Sequence, residues 1–168
     1  LPSLFVLGGA RSGKSRYAQH RAEATGLSPV YIATAQAWDD EMRDRIHLHQ
    51  QDRGPAWSTV EAPLALAEAI RAHNASDAVV LVDCLTLWVT NLLLADRDIP
   101  AATTDLTKVI AGARGHVVLV SNEVGLGIVP ENALARRFRD EAGRVNQAVA
   151  AAVGEVQLVV AGLNLTMK

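Results

Sequence analysis

The chain holds a single cysteine, Cys84, among 168 residues. No intrachain disulfide can form, and nothing points to an oxidising compartment. Charge of one sign is also missing: 16 Lys and Arg against 18 Asp and Glu leave a net −2. No global basic field therefore recommends the chain to nucleic acid, and the basic segment RRFRDEAGR (136–144) reads as one face of a helix. No apolar run approaches the roughly 18 residues needed to span a bilayer. The first residues lack a basic stretch followed by an apolar signal core, so a soluble, cytoplasmic protein is expected. Repeats and low-complexity tracts are absent too. The length suits one domain over 1–168, large enough to bury roughly 70% of its unfolded surface.

What the sequence does have is a rhythm. LFVL (4–7), VYIA (30–33), AVVLVD (78–83), HVVLVS (116–121) and VQLVVAG (156–162) are continuous apolar runs without polar alternation. Such runs suit strands covered on both faces. Helical patterns fall between them at 14–25, 39–52, 63–73, 101–113 and 131–152, with Pro63, Pro100 and Pro130 near helix starts. DRDIPAATTD (96–105) reads as the most loop-like stretch. The alternation predicts an α/β fold with a mostly parallel central sheet between helical layers.

The first run leads into Gly8-Gly9-Ala10-Arg11-Ser12-Gly13-Lys14-Ser15, which fits G-x-x-x-x-G-K-[ST]. The motif stands after a strand and opens a helix, the context its chemistry needs. Its glycines let backbone N–H groups turn inward around phosphate oxygens, and the following helix presents its positive end. Lys14 is expected to reach the β/γ-phosphates and the Ser15 hydroxyl to ligate Mg²⁺. The predicted fold is then a P-loop NTPase-like three-layer sandwich holding a nucleotide.

A magnesium site also wants a carboxylate. Asp83 ends a buried strand, where an acid has little packing value, although a helix-capping role would place it there too. Glu123 also follows a strand, as a loop acid or as a contact to water, metal or substrate. No N-K-x-D guanine reader of the GTPase switches occurs. Between the second and third of these apolar runs lies WDDEMRDRIHLHQQDRG (38–54), where Glu41, Arg45, His49 and Arg53 recur every four residues. A histidine between arginines suits a neutral imidazole nucleophile attacking a phosphate. His47 points to another face. By spacing alone, either histidine could equally belong to a solvated polar surface.

Four blocks, GGARSGKS, IATAQAWDDEMRDRIHLHQQDRGPAWSTVEAPL, LVDCLTLWVTNLL and VSNEVGLGIVPENALARRFRDEAGRVNQ, together resemble the bifunctional adenosylcobinamide kinase/adenosylcobinamide-phosphate guanylyltransferase family. The resemblance implies phosphorylation of adenosylcobinamide by ATP or GTP. GTP then guanylylates an enzyme histidine, which passes GMP to the cobinamide phosphate. The family's R-I-x-x-H pattern reads Arg45-Ile46-His47-Leu48-His49 here and selects His49, with Leu48 where some members carry a second histidine. The resemblance also implies nucleotide contacts at Ala33, Thr34 and Ala35, at Gln50, Gln51, Asp52 and Arg53, and at Glu61 and Asp83. It further implies a homo-oligomer, a trimer in known members. Two rival readings of the residues are a monofunctional small-molecule kinase, with the histidine helix as a lid, and a nucleotide-sensing module.

Overall fold

The strand runs owe their lack of alternation to two cores rather than one. In the computed structural model, which describes residues 3–168, successive residues of each central strand enter opposite hydrophobic clusters. Leu4 and Val6 pack with Val79, Leu81, Val118 and Val120 against Ala18 and Ala22. Phe5, Val80, Val82, Val117 and Leu119 join Leu66, Leu85, Trp88, Leu106 and Val149 on the other side. A side chain that alternates between two buried faces must be apolar at every position. Leu1 and Pro2, within the 1–168 span expected for the domain, lie outside the described residues.

The elements in order are β1 (Leu4–Gly8), α1 (Lys14–Glu23), β2 (Ser28–Ala33), α2 (Asp40–Arg53), β3 (Ser58–Glu61), α3 (Leu66–His73) and β4 (Ala78–Asp83). They continue with α4 (Leu85–Leu94), α5 (Ile99–Ala111), β5 (His116–Asn122), α6 (Ala133–Ala152), β6 (Glu155–Val160) and β7 (Leu163–Thr166). The sheet order is β3-β2-β4-β5-β1-β6-β7. All neighbours run parallel except the β6–β7 hairpin. The expected α/β class and mostly parallel sheet are what the chain forms. Its layers are unequal: α1 contributes small buried residues to one face, and α3 to α6 cover the other.

Several expectations need correction. Residues 99–105 are not loop but the first half of α5, capped by Asp98, whose carboxylate accepts the Ala101 N–H at 3.0 Å. Pro63 does not start α3, which begins at Leu66, and α6 begins at Ala133, capped by Asn132 rather than at 131. The run expected as one strand over 156–162 turns at Ala161 and Gly162, both at positive φ, and returns as β7. Helix α4 (LTLWVTNLLL) and the four-residue edge strand β3 carry no amphipathic signature. In α4 six of ten residues are buried, so no polar face marks a helical period.

Trp88 anchors this side. It is 1% exposed, and its indole N–H donates to the Leu64 carbonyl at 3.0 Å. Trp88→Ala should cost about 3–5 kcal/mol of unfolding free energy, measured by urea denaturation; a loss near zero would show that α4 is dispensable to the core.

Candidate active site

Burial on both faces leaves the carboxyl edge of the sheet as the place for polar chemistry, as in other open α/β sheets. Ala33 of β2 is paired in register with both Glu61 of β3 and Asp83 of β4, and Gly8 of β1 with Asn122 of β5. The phosphate loop, the segment after β2 and the acid of β4 thus emerge along one line.

The loop from Gly8 to Ser15 is shaped by contacts that only glycine permits. Gly13 sits at φ 94°, a left-handed conformation that costs other residues about 1–2 kcal/mol. A Cβ on Gly8 would lie 2.5 Å from the Val159 carbonyl oxygen and 2.6 Å from Ser12 Oγ. The β6–β7 turn braces the loop from outside, where the Gly162 N–H donates to the Ser12 carbonyl at 2.7 Å. Lys14 is buried, and its ammonium folds back to donate to the Gly9 carbonyl at 3.0 Å. Ser12 Oγ is buried with no hydrogen-bond partner among the described residues.

A cavity of about 660 Å³ opens beside this loop, and Ser15, Arg16, Asp83, His49, Asp52 and Arg53 stand on its wall. His49 reaches it from α2, a helix that buries none of its residues. A smaller cavity of about 190 Å³ lies beneath the helix and is lined by Ala33, Ala35, Ile46, His49 and Gln50 among others. The carboxylate of Asp83 accepts the Tyr31 hydroxyl at 2.8 Å through Oδ2. Burial, and then the charge of Asp83, push the Tyr31 phenol well above its ordinary pKa. The same two causes raise the Cys84 thiol, so both groups stay protonated. Ser15 and Asp83 bring a hydroxyl and a carboxylate to one cavity, the hard-oxygen donor set that suits Mg²⁺ shared with nucleotide phosphates.

The two histidines part company. His47 Nε2 lies 3.1 Å from Gln51 Nε2, and neither side chain is on the wall of either cavity. The arginine pair expected around His49 is only half present. Arg53 shares the cavity, whereas Arg45 is solvent-exposed and bound to Glu41 at 2.7 Å. At 3.6 residues per turn a four-residue row slips about 40° per step, so Glu41 and Arg53 end up about 120° apart. The half-buried positions follow a helical stripe instead: Met42, Ile46, Gln50 and Arg53.

Thr34 is fully buried and committed to structure. Its hydroxyl donates to the Cys84 carbonyl at 2.7 Å and accepts the Cys84 N–H at 2.9 Å. Glu61 is exposed at the far end of the same edge and lines neither cavity. Glu123 is placed elsewhere: its carboxylate accepts the Gly125 N–H at 2.7 Å, and it borders a separate apolar cavity of about 530 Å³ with Phe5 and Leu126. Sequence reasoning missed Tyr31, hidden in an apolar strand run. A buried tyrosine needs a partner for its hydroxyl, and that was the available signal.

A phosphate loop joining a central parallel strand to a helix, with an acid ending a nearby strand, defines a P-loop nucleotide-binding protein. Known structures share this fold: a Pyrococcus horikoshii OT3 protein superposes with a TM-score of 0.55 at 10% identity, covering 99% of this chain and 86% of that one. The RadB recombinase gives 0.53 at 14% identity, covering 93% and 73%. The particular family follows from sequence. The chain belongs to the cobinamide kinase/cobinamide phosphate guanyltransferase family, whose pattern matches residues 4–167. The bifunctional adenosylcobalamin biosynthesis protein CobP of Pseudomonas aeruginosa is 48% identical over 98% of this chain and 96% of its own length. The CobU proteins of Escherichia coli and Salmonella typhimurium, named for the same pathway role, are each 46% identical over 98% of this chain and 99% of theirs.

Gly8→Ala tests the loop. The added methyl must displace Ser12 or strand β6, which should destabilise the fold by about 1–3 kcal/mol and weaken GTP binding, read by calorimetry. Unchanged affinity would separate this loop from nucleotide binding.

Proposed function

We propose that the chain, as one P-loop domain, carries out both reactions of its family at this cavity. It phosphorylates the hydroxyl of adenosylcobinamide with ATP or GTP, then transfers GMP from GTP to the product through His49. The observation that carries the reading is the meeting of the phosphate loop, Asp83 and His49 around a single cavity.

In the first reaction the loop N–H groups and Lys14 hold the triphosphate. The acceptor hydroxyl attacks the γ-phosphorus, the bond to the β-phosphate oxygen breaks, and the nucleoside diphosphate leaves. Phosphoryl transfer asks the protein mainly for position and charge compensation. Ser15 and Asp83 would hold Mg²⁺, which supplies charge neutralisation at the phosphates. In the second reaction an imidazole nitrogen of His49 attacks the α-phosphorus of GTP, forming an N–P bond as pyrophosphate departs. A phosphate oxygen of the cobinamide phosphate then attacks the same phosphorus. The N–P bond breaks, histidine is regenerated and a P–O–P linkage forms. The attacking imidazole nitrogen must be unprotonated to act as the nucleophile, and the Arg53 guanidinium stands on the same cavity wall, where it would offset phosphate charge.

Gln50, Asp52 and Arg53 are proposed nucleotide contacts because they border the two cavities; Gln51 and Glu61 rest on the family resemblance alone. Assembly into a homo-oligomer, a trimer by the same resemblance, is supported by the edge strand β7, whose Leu163 and Leu165 are exposed together with neighbouring Met167.

Two sets of variants test the reading. Lys14→Ala should lower kcat of both reactions by about 10²–10³-fold; near-normal kinase activity would remove the loop from the mechanism. His49→Ala should lose the covalent GMP adduct and guanylyl transfer while retaining nucleotide binding and much of the kinase reaction, and His47→Ala should keep both reactions. An adduct that survives in His49→Ala and vanishes in His47→Ala would reverse the assignment. No adduct in the unaltered protein would leave a monofunctional kinase.

A further inference from the structure

Helix α2 has a mechanical problem. It carries His49 but buries none of its residues, and the cavity of about 190 Å³ separates Ile46 and Gln50 from Ala33 and Leu87 below. Something must hold the arm across that gap. Its last residue, Arg53, lays its guanidinium over the ring of Tyr31, 3.4 Å from the centroid. Tyr31 is itself fixed on two more sides. Its hydroxyl donates to Asp83 Oδ2 at 2.8 Å. Its ring meets Trp57 edge to face at 6.3 Å between centroids, and the Trp57 indole N–H donates to Glu23 at 3.1 Å.

We propose that Tyr31 is a positioning residue that sets two groups at once: its ring seats the His49-bearing helix through Arg53, and its hydroxyl fixes the orientation of the Asp83 carboxylate. A planar guanidinium suits the first task, because it stacks on an aromatic face while its N–H edges stay available to other partners. A hydroxyl suits the second, because it occupies one carboxylate oxygen and leaves the other to a cation or water. The placement of the nucleophile and the orientation of the metal carboxylate thereby depend on one side chain. The functional half of this proposal rests on the reading of His49 as the nucleophile.

The test compares the unaltered protein with Tyr31→Phe and Tyr31→Leu by two measurements made without turnover. Deuterium uptake over residues 40–53 at short labelling times reports the seating of the arm. Mn²⁺ affinity in the presence of GDP, read by electron paramagnetic resonance, reports the carboxylate. Tyr31→Phe should leave arm exchange within about twofold of normal while weakening Mn²⁺ binding about threefold or more. Tyr31→Leu should weaken Mn²⁺ binding similarly and also speed arm exchange about tenfold, as loss of an anchor predicts. Arg53→Ala removes the stack from the arm's side without touching the sheet and should give the same rise in exchange. Normal exchange of β4 and β5 in each variant shows that the effect is confined to the arm. Arm exchange unchanged in Tyr31→Leu and Arg53→Ala, or normal Mn²⁺ affinity in Tyr31→Phe, overturns the proposal. A missing GMP adduct on His49 in the unaltered protein would defeat the nucleophile reading and leave these exchange results standing.

Discussion

The structure depends on a sheet that is sealed on both faces. Leu4, Phe5 and Val6 all have zero exposure though they point in alternate directions, so no polar side chain can be admitted along these strands without a buried partner. Chemistry is expelled to the strand ends. At the carboxyl edge the chain stops being apolar within one residue: Val82 gives way to Asp83, and Leu7 to the Gly8 loop. The same constraint explains why the nucleotide loop needs glycine twice over. Gly8 is still in register with Val159 of β6, and the chain must turn there against that strand's carbonyl.

The second organising feature is a contrast of stability within one site. The phosphate loop is braced by β1, by the β6–β7 turn through Gly162 and by Lys14 on Gly9. The histidine arm has no buried residue and one stacked contact at its end. Segments with few buried contacts open at low free energy. A rigid phosphate loop beside a loosely held histidine arm is the arrangement that the proposed sharing of one cavity between two reactions calls for. The arm's helix persists on local terms: Asp39 accepts the Met42 N–H at 2.8 Å, and Asp40 and Glu41 sit in its first turn, where the helix dipole favours negative charge.

Much of this was legible from residues. Four of the apolar runs are strands over their whole length and the fifth is a strand as far as Val160, and the loop from Gly8 to Ser15 lies between a strand and a helix as its motif required. Asp83 and His49, which the sequence could describe only as candidates, stand on one cavity wall. What escaped did so for physical reasons. Helix α4 is apolar nearly all round because it is wedged between the sheet and α6, and β3 is too short and too exposed to alternate. Tyr31 passed for a strand core residue, since only tertiary structure reveals that Asp83 receives its hydroxyl and Arg53 its ring. The four-residue row on α2 suggested two arginines beside His49, but helical drift carries Arg45 to Glu41 in solvent. The family resemblance, now shown by relatives at 46–48% identity, is what favours His49 over His47 in the proposed mechanism, a choice that spacing alone could not make.

The central claim is that His49 forms a covalent bond to GMP. Intact-protein mass spectrometry after incubation with GTP and Mg²⁺, followed by peptide mapping at neutral or alkaline pH, tests it most directly. The account predicts a mass increase of one GMP, acid-labile, on the peptide from α2, localised to His49. A protein that hydrolyses or transfers the γ-phosphate of GTP yet never gains GMP, or gains it at another residue, would contradict it.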